Sequence, residues 1–192
     1  SATGPIGVIT IRNCVSFGNG TLSNGVHYAN GDMNGFKLGG SGVGTPHVVL
    51  NCLSFNNGAT GFTDNNNPSG LTIMNATAWG NGKSAKKGNF LCYRASNKAV
   101  YVGLVSANAI DSDKFTGNMS DSIYYNTGKY YRLSGLLPTP VVSGDKKGTV
   151  VDNPSKVSGM FKNAVDFINL NGNVDKQLRN SDGTINMKGL YE

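Results

Sequence analysis

The residues that invite a chemical reading are few and widely spaced. The stretch "NGFKLGG", residues 34–40, sets Lys37 between two apolar residues and hems it in with glycine and asparagine. Within residues 1–80 the only other basic side chain is Arg12. A lysine offers either a compact point charge or, once deprotonated, an amine base. Further on, "GNGKSAKKGN" (80–89) gathers Lys83, Lys86 and Lys87, and Arg94 follows closely. Lys86, Lys87 and Arg94 suit carboxylate groups on a ligand, Arg94 by bidentate pairing. A solvated basic loop is an equally good reading of the three lysines. Asp111 and Asp113, in "AIDSDKF", come nearest to a cation site, and a weak one. His27 and His47 lack the cysteine or carboxylate spacing that zinc requires, and three cysteines make no disulfide framework.

Charge is scarce and unevenly placed. The 192 residues carry 17 basic and 11 acidic groups, a net charge of +6. Residues 1–80 hold Arg12 and Lys37 against Asp32 and Asp64, so the second part of the chain supplies the whole excess. A basic surface favours polyanions, either nucleic acid or acidic polysaccharide. The interleaved aromatic and basic signature of a nucleic-acid module is missing, so no nucleic-acid partner is expected. No run of 18 apolar residues occurs, and no membrane partner is expected.

What positions these side chains is a repeat. "TIRNCVSFGNG" (10–20), "VVLNCLSFNNG" (48–58) and "TIMNATAWGNG" (72–82) align residue for residue. A weaker fourth copy, "VYVGLVSANA" (100–109), puts Gly103 where the others have Asn13, Asn51 and Asn75. Between these copies runs a second repeat, "NGFKLGG", "TGFTDNN" and "GNFLCYR", which aligns Phe36, Phe62 and Phe90. Short β-rich runs broken by Gly and Asn turns, recurring every few dozen residues with almost no helical periodicity, describe coils of a solenoid. The expected fold is all-β, a parallel β-helix over residues 1–135. The first residues read as the middle of a solenoid rather than its start.

Stacked coils lie ~4.8 Å apart, so aligned side chains meet directly. Asn13, Asn51 and Asn75 are expected to form an internal amide ladder, with Phe17, Phe55 and Trp79 stacked beside it. Asn51→Leu is therefore expected to destabilise more than Asn57→Ser, with Asn57 placed at a surface turn. With Phe36 and Leu38 pointing inward, alternation turns Lys37 outward, next to Thr63 and then Leu91 in the following coils. From residue 136 the repeat fades. Residues 136–192 are expected to form an irregular segment packed on the open end of the solenoid. "LLPTPVVSGDKKG" (136–148) reads as loop, and 152–168 permits a short helix with Asn153 as its cap.

The "NGFKLGG" motif, followed by "HVVLNCLSFNNGATGFTDNNNP", "LTIMNATAWGNG" and "GNFLCYR", resembles the central coils of polysaccharide lyase family 9. These are pectate lyases of the right-handed parallel β-helix type. The likeness extends to the closing "DFINLNGNVDKQLRNSDGTINMKGLY". It implies a secreted enzyme that cleaves α-1,4-polygalacturonate by calcium-assisted β-elimination, with Lys37 at the position of the catalytic base. It also implies that Arg94, Lys86 and Lys87 meet the acidic polysaccharide. The family's calcium aspartates belong to a coil upstream of this lysine, and no acidic residue precedes Asp32 here. The ligands are thus expected upstream of residue 1, with no metal site in this chain, and the 192 residues alone are expected to be inactive. The alternatives are a non-catalytic β-helix that binds carbohydrate or adheres, or a lyase or epimerase acting on another acidic polysaccharide.

Overall fold

The computed structural model describes residues 6–151, apart from 27, 29, 41 and 138, together with residues 181 and 182. All regular structure among them is β. The first five coils run β1 (Thr10–Arg12), β2 (Val15–Phe17), β3 (Phe36–Lys37), β4 (Val48–Leu50), β5 (Leu53–Phe55), β6 (Phe62–Thr63), β7 (Thr72–Met74), β8 (Thr77–Trp79), β9 (Phe90–Cys92), β10 (Val100–Val102), β11 (Val105–Ala107), β12 (Lys114–Phe115), β13 (Asn118–Ser120) and β14 (Ile123–Asn126). Every third strand joins one sheet. The first sheet is β1-β4-β7-β10-β13, the third is β3-β6-β9-β12, and the second contains β2-β5-β8-β11-β14, all in parallel register. The chain is a parallel β-helix, as the repeats imply.

The stacking is that of the sequence alignment. Phe17 pairs with Phe55 and Phe55 with Trp79, and the Phe17 and Phe55 rings stack at 5.0 Å. On the third sheet Phe36, Phe62 and Phe90 stack inward, with ring centroids 4.8 and 5.2 Å apart. Val49, Ile73, Tyr101 and Met119 of the first sheet close the core from the other side. Cys52 and Ala76 occupy one buried column, small side chains at a bend between sheets.

The asparagine assignment is corrected in its burial: Asn75 Nδ2 does donate to Asn51 Oδ1 at 3.3 Å, but this column is not the internal ladder. Asn13, Asn51 and Asn75 have φ of 53°, 51° and 51°, and Asn51 and Asn75 are exposed. Their column marks a left-handed turn between the first and second sheets. Gly103 continues it at φ 63° and Asp121 at 46°, residues that tolerate this geometry. The internal ladder is formed instead by Asn57 and Asn81 of the closing Asn-Gly pairs, continued by Asn89 just before β9. Asn57 Nδ2 donates to Asn81 Oδ1 at 2.9 Å, and Asn81 Nδ2 donates to Asn89 Oδ1 at 2.9 Å. Asn89 Nδ2 then donates to Ala107 O at 2.8 Å in the next coil. The backbone N–H groups of Asn19, Asn57 and Asn81 bond to Oδ1 of Asn57, Asn81 and Asn89 in turn, so each side chain replaces a backbone partner at the turn. All three ladder side chains are fully buried.

The far end differs from the coils. β15 (Lys129–Arg132) turns back antiparallel on β14, and β16 (Thr149–Val151) pairs antiparallel with β15, both continuing the second sheet. Between them, Val141 exchanges backbone bonds with Gly117 and is buried against the core. The segment 136–192, expected to be irregular, thus includes a strand, because its apolar Val150 and Val151 meet an open sheet edge. The helix expected over 152–168 lies outside the described residues. Asp113 ties the last coils together: Oδ1 accepts from Phe90 N at 2.9 Å and Oδ2 from Tyr125 N at 2.8 Å.

Two outcomes follow for stability. Asn81→Ala leaves several buried groups without partners, at ~1–3 kcal/mol each. Asn51→Gly preserves its turn and should cost only about 0.5 kcal/mol. Urea denaturation showing equal losses for the two would contradict the ladder. Burial raises the Asp113 carboxyl from the ordinary 3.8 to about 6, with the hydrogen bonds opposing. Between these values the folded chain keeps a proton that the unfolded chain has released. Stability therefore falls as pH rises through this window, by about 1.4 kcal/mol per unit, and levels off above it. Asp113→Asn should remove that slope in melts recorded from about pH 4 to 7.

Candidate active site

The strand that carries Lys37 is only two residues long, and its position is fixed by what surrounds it. Phe36 enters the aromatic stack, while Leu38 is buried in the core. Gly35 N bonds to Thr60 O and Leu38 N to Thr63 O, both at next-coil distances of 2.8 and 2.9 Å. The flanking glycines are there for space. A Cβ on Gly35 would lie 2.5 Å from Gly61 O, and one on Gly39 would lie 2.5 Å from Asn67 Cβ and press into the Asp64 carbonyl. Asn67 holds the second flank, donating from Nδ2 to Leu38 O at 2.8 Å and to Thr45 O at 2.7 Å.

Lys37 therefore faces outward, in register with Thr63 and then Leu91. Its Nζ forms an ion pair with Asp32, five residues earlier at the end of the long excursion between β2 and β3. That excursion builds one wall of a groove of about 410 Å³, lined by Asn19, Leu22, Tyr28, Asp32, Met33 and Lys37 among others. Leu22 and Tyr28 are exposed at its mouth. Sequence reasoning noted Asp32 only as a charge. Its scarcity, one of two acids in the first 80 residues, was the available signal for the pair.

The basic loop lies on the same side of the solenoid. Ser84 N and Ala85 N both bond to Gly58 O, while Ala59 N bonds to Met33 O. Residues 83–87 and the groove wall at Met33 thus flank the short turn at Gly58, with Lys86 and Lys87 exposed. Arg94 sits at the opposite end of β9. Its guanidinium lies 4.7 Å from the Tyr93 ring centroid.

The acidic residues do not gather into a metal centre. Among the described residues no group of three or more His, Cys, Asp and Glu is placed to hold an ion. Asp113 is buried with both oxygens accepting backbone N–H groups, and Asp111 Oδ1 accepts from Ser112 N, so the two do not form the weak cation site. Asp64 is buried and caps the turn of the next coil through Ala95 N at 2.9 Å; burial raises its carboxyl. With Asp32 engaged by Lys37, these residues do not fit the six to eight oxygens of a calcium site. His47 is structural, Nδ1 accepting from Ile9 N at 3.1 Å, and His27 lies outside the described residues.

Residues 2–108 match the family described as Pel9A-like, right handed beta helix region. The chain belongs to that family. The right hand of the solenoid comes with this membership. Among relatives, the chain is 39% identical over 136 residues to Pectate lyase L of Paenibacillus polymyxa, covering 70% of this chain and 29% of that protein. It is 49% identical over 83 residues to Pectate lyase L of Thermoclostridium stercorarium, covering 43% of this chain and 6% of that protein. The chain thus spans less than a third of the length of either relative. A solved structure, "Crystal structure of pectate lyase Pel9A", aligns over 95% of this chain and 37% of its own, at 22% identity and a TM-score of 0.44.

The Pel9A-like coil around Lys37 offers a direct check on its construction. Gly39→Ala should push β3 away from the Asp64–Asn67 turn and cost about 1–3 kcal/mol, as overpacking does. Gly40→Ala, whose Cβ would meet only Asn65 Nδ2 at 3.9 Å, should cost far less. Thermal melts that rank the two the other way would refute the packing described for this turn.

Proposed function

We propose that this chain carries the base of a pectate lyase, with Lys37 taking the C5 proton of a galacturonate residue in polygalacturonate. The reading rests on one observation above the others. Lys37 points outward beside an open groove, paired with Asp32 and in register with the uncharged Thr63 and Leu91. The named relatives, both pectate lyases, support the same substrate.

The chemistry is an elimination. Lys37 Nζ, as the free amine released from Asp32, accepts the C5 proton. The C5–H electrons form the C4=C5 double bond, the C4–O bond breaks, and the departing oxygen is protonated by solvent. An arginine could do this only with great difficulty, because the guanidinium holds its proton more tightly. Lys86 and Lys87, across the turn at Gly58, and Arg94 pair with substrate carboxylates, and the groove orients the sugar. Calcium would neutralise the carboxylate next to C5. The acidic residues described here do not fit such an ion, so no step is assigned to it in this chain. A secreted location accords with a polymeric plant-wall substrate.

The second reading, a β-helix that binds acidic carbohydrate without cleaving it, is favoured by the same basic side chains. Kinetics on the full-length protein separate the two. Lys37→Ala and Lys37→Arg should leave folding and polygalacturonate binding intact while lowering the yield of unsaturated product by at least about a hundredfold. Retention of activity within about tenfold, under ~1.4 kcal/mol of barrier, would reject Lys37 as the base.

A further inference from the structure

The outward column that holds Lys37 does not end in neutral residues. β12 pairs with β9 so that Lys114 stands in register with Leu91. The column therefore reads Lys37, Thr63, Leu91, Lys114, with a lysine at each end. Three strand spacings separate the two, about 14 Å. At the far end Lys114 is not alone. Its Nζ lies 5.8 Å from the Tyr93 ring centroid, and the Arg94 guanidinium lies 4.7 Å from the same ring. Tyr93 is half-buried, while Arg94 and Lys114 are exposed.

Two exposed cations thus gather at one ring, a local excess of positive charge that favours an anion. Among the described residues the ion pairs are Lys37–Asp32 and Lys147–Asp145, and neither Arg94 nor Lys114 takes part in one. Asp64 lies near Arg94, but it is buried and its Oδ2 is taken by backbone N–H groups of Arg94 and Ala95. The aromatic ring holds both heads in place. Charged donors gathered at one ring suit a carboxylate on a sugar.

We infer that Tyr93, Arg94 and Lys114 form a distal uronate subsite, and that the acidic polysaccharide runs across the coils along the third sheet, from Lys37 to Lys114. This rests on the polygalacturonate reading above and adds the direction of the chain and the residues that hold its far end. A 1,4-linked uronate advances by a distance comparable to one strand spacing, so the subsite lies about three residues from the sugar at Lys37. Between them the column carries no charge, with Leu91 partly exposed and Thr63 buried.

Calorimetry with trigalacturonate and hexagalacturonate, on the full-length protein and on Arg94→Gln/Lys114→Gln and Tyr93→Leu variants, tests this. The parent should bind the hexamer at least about tenfold more tightly than the trimer, and the double variant should lose that advantage. Raising sodium chloride from about 50 to about 500 mM should erase the advantage in the parent as well. Unchanged length dependence in both variants, with unchanged melting temperatures, overturns the distal subsite and leaves the lysine-base reading standing. A parent that binds neither oligomer overturns both.

Discussion

One constraint governs this molecule: each coil must return the chain to the same place, one strand spacing further along. The buried amide ladder enforces it: Asn57 bonds to Asn81 one coil on, and Asn89, in Asn81's own coil, bonds to Ala107 of the next. A side-chain amide has a donor and an acceptor pointing in opposite senses, so it can pass hydrogen bonding from one coil to the next while sealing the backbone at the bend. A turn solved once is then solved identically in the next coil. The aromatic stack of Phe36, Phe62 and Phe90 enforces the same register from the third sheet, where the strands are too short to hold themselves. Breaking either would let coils slip, and every outward side chain would lose its address.

That address is what chemistry needs. Lys37 stands on a strand of two residues, which on its own specifies almost nothing. It is placed by Phe36 and Leu38 in the core, by glycines that let neighbouring backbone approach, and by Asn67 bonding across the turn. The same arithmetic sets Lys114 at the far end of its column. A face built this way is flat and sparsely charged, so a few cations dominate it. An extended polyanion suits such a face better than a compact ligand does, because its charges recur along a line as the coils do.

The coil register was open to the sequence reader because it is written as repetition. The alignment of Phe17 with Phe55, and of Lys37 with Thr63 and Leu91, appears unchanged in the structure. The asparagines were harder. Two columns persist through three copies, and the structural one was mistaken for a surface turn. The distinguishing sign was Gly103: a position that takes Asn or Gly alike needs only a positive φ, whereas a position that needs an amide cannot accept Gly. The Asp32–Lys37 pair and the Tyr93–Arg94–Lys114 cluster were beyond pattern. The first depends on how a long excursion returns to its strand. The second depends on the register of a coil whose sequence no longer resembles the others.

The central claim is that the outer face of the third sheet meets the polysaccharide. Backbone amide shifts of the protein titrated with hexagalacturonate report the contacted face directly. The account requires the largest changes at Lys37, Thr63, Leu91, Tyr93 and Lys114, with the first-sheet residues Arg12, Leu50 and Met74 unmoved. Changes centred on the first or second sheet, with the Lys37 column silent, would contradict it.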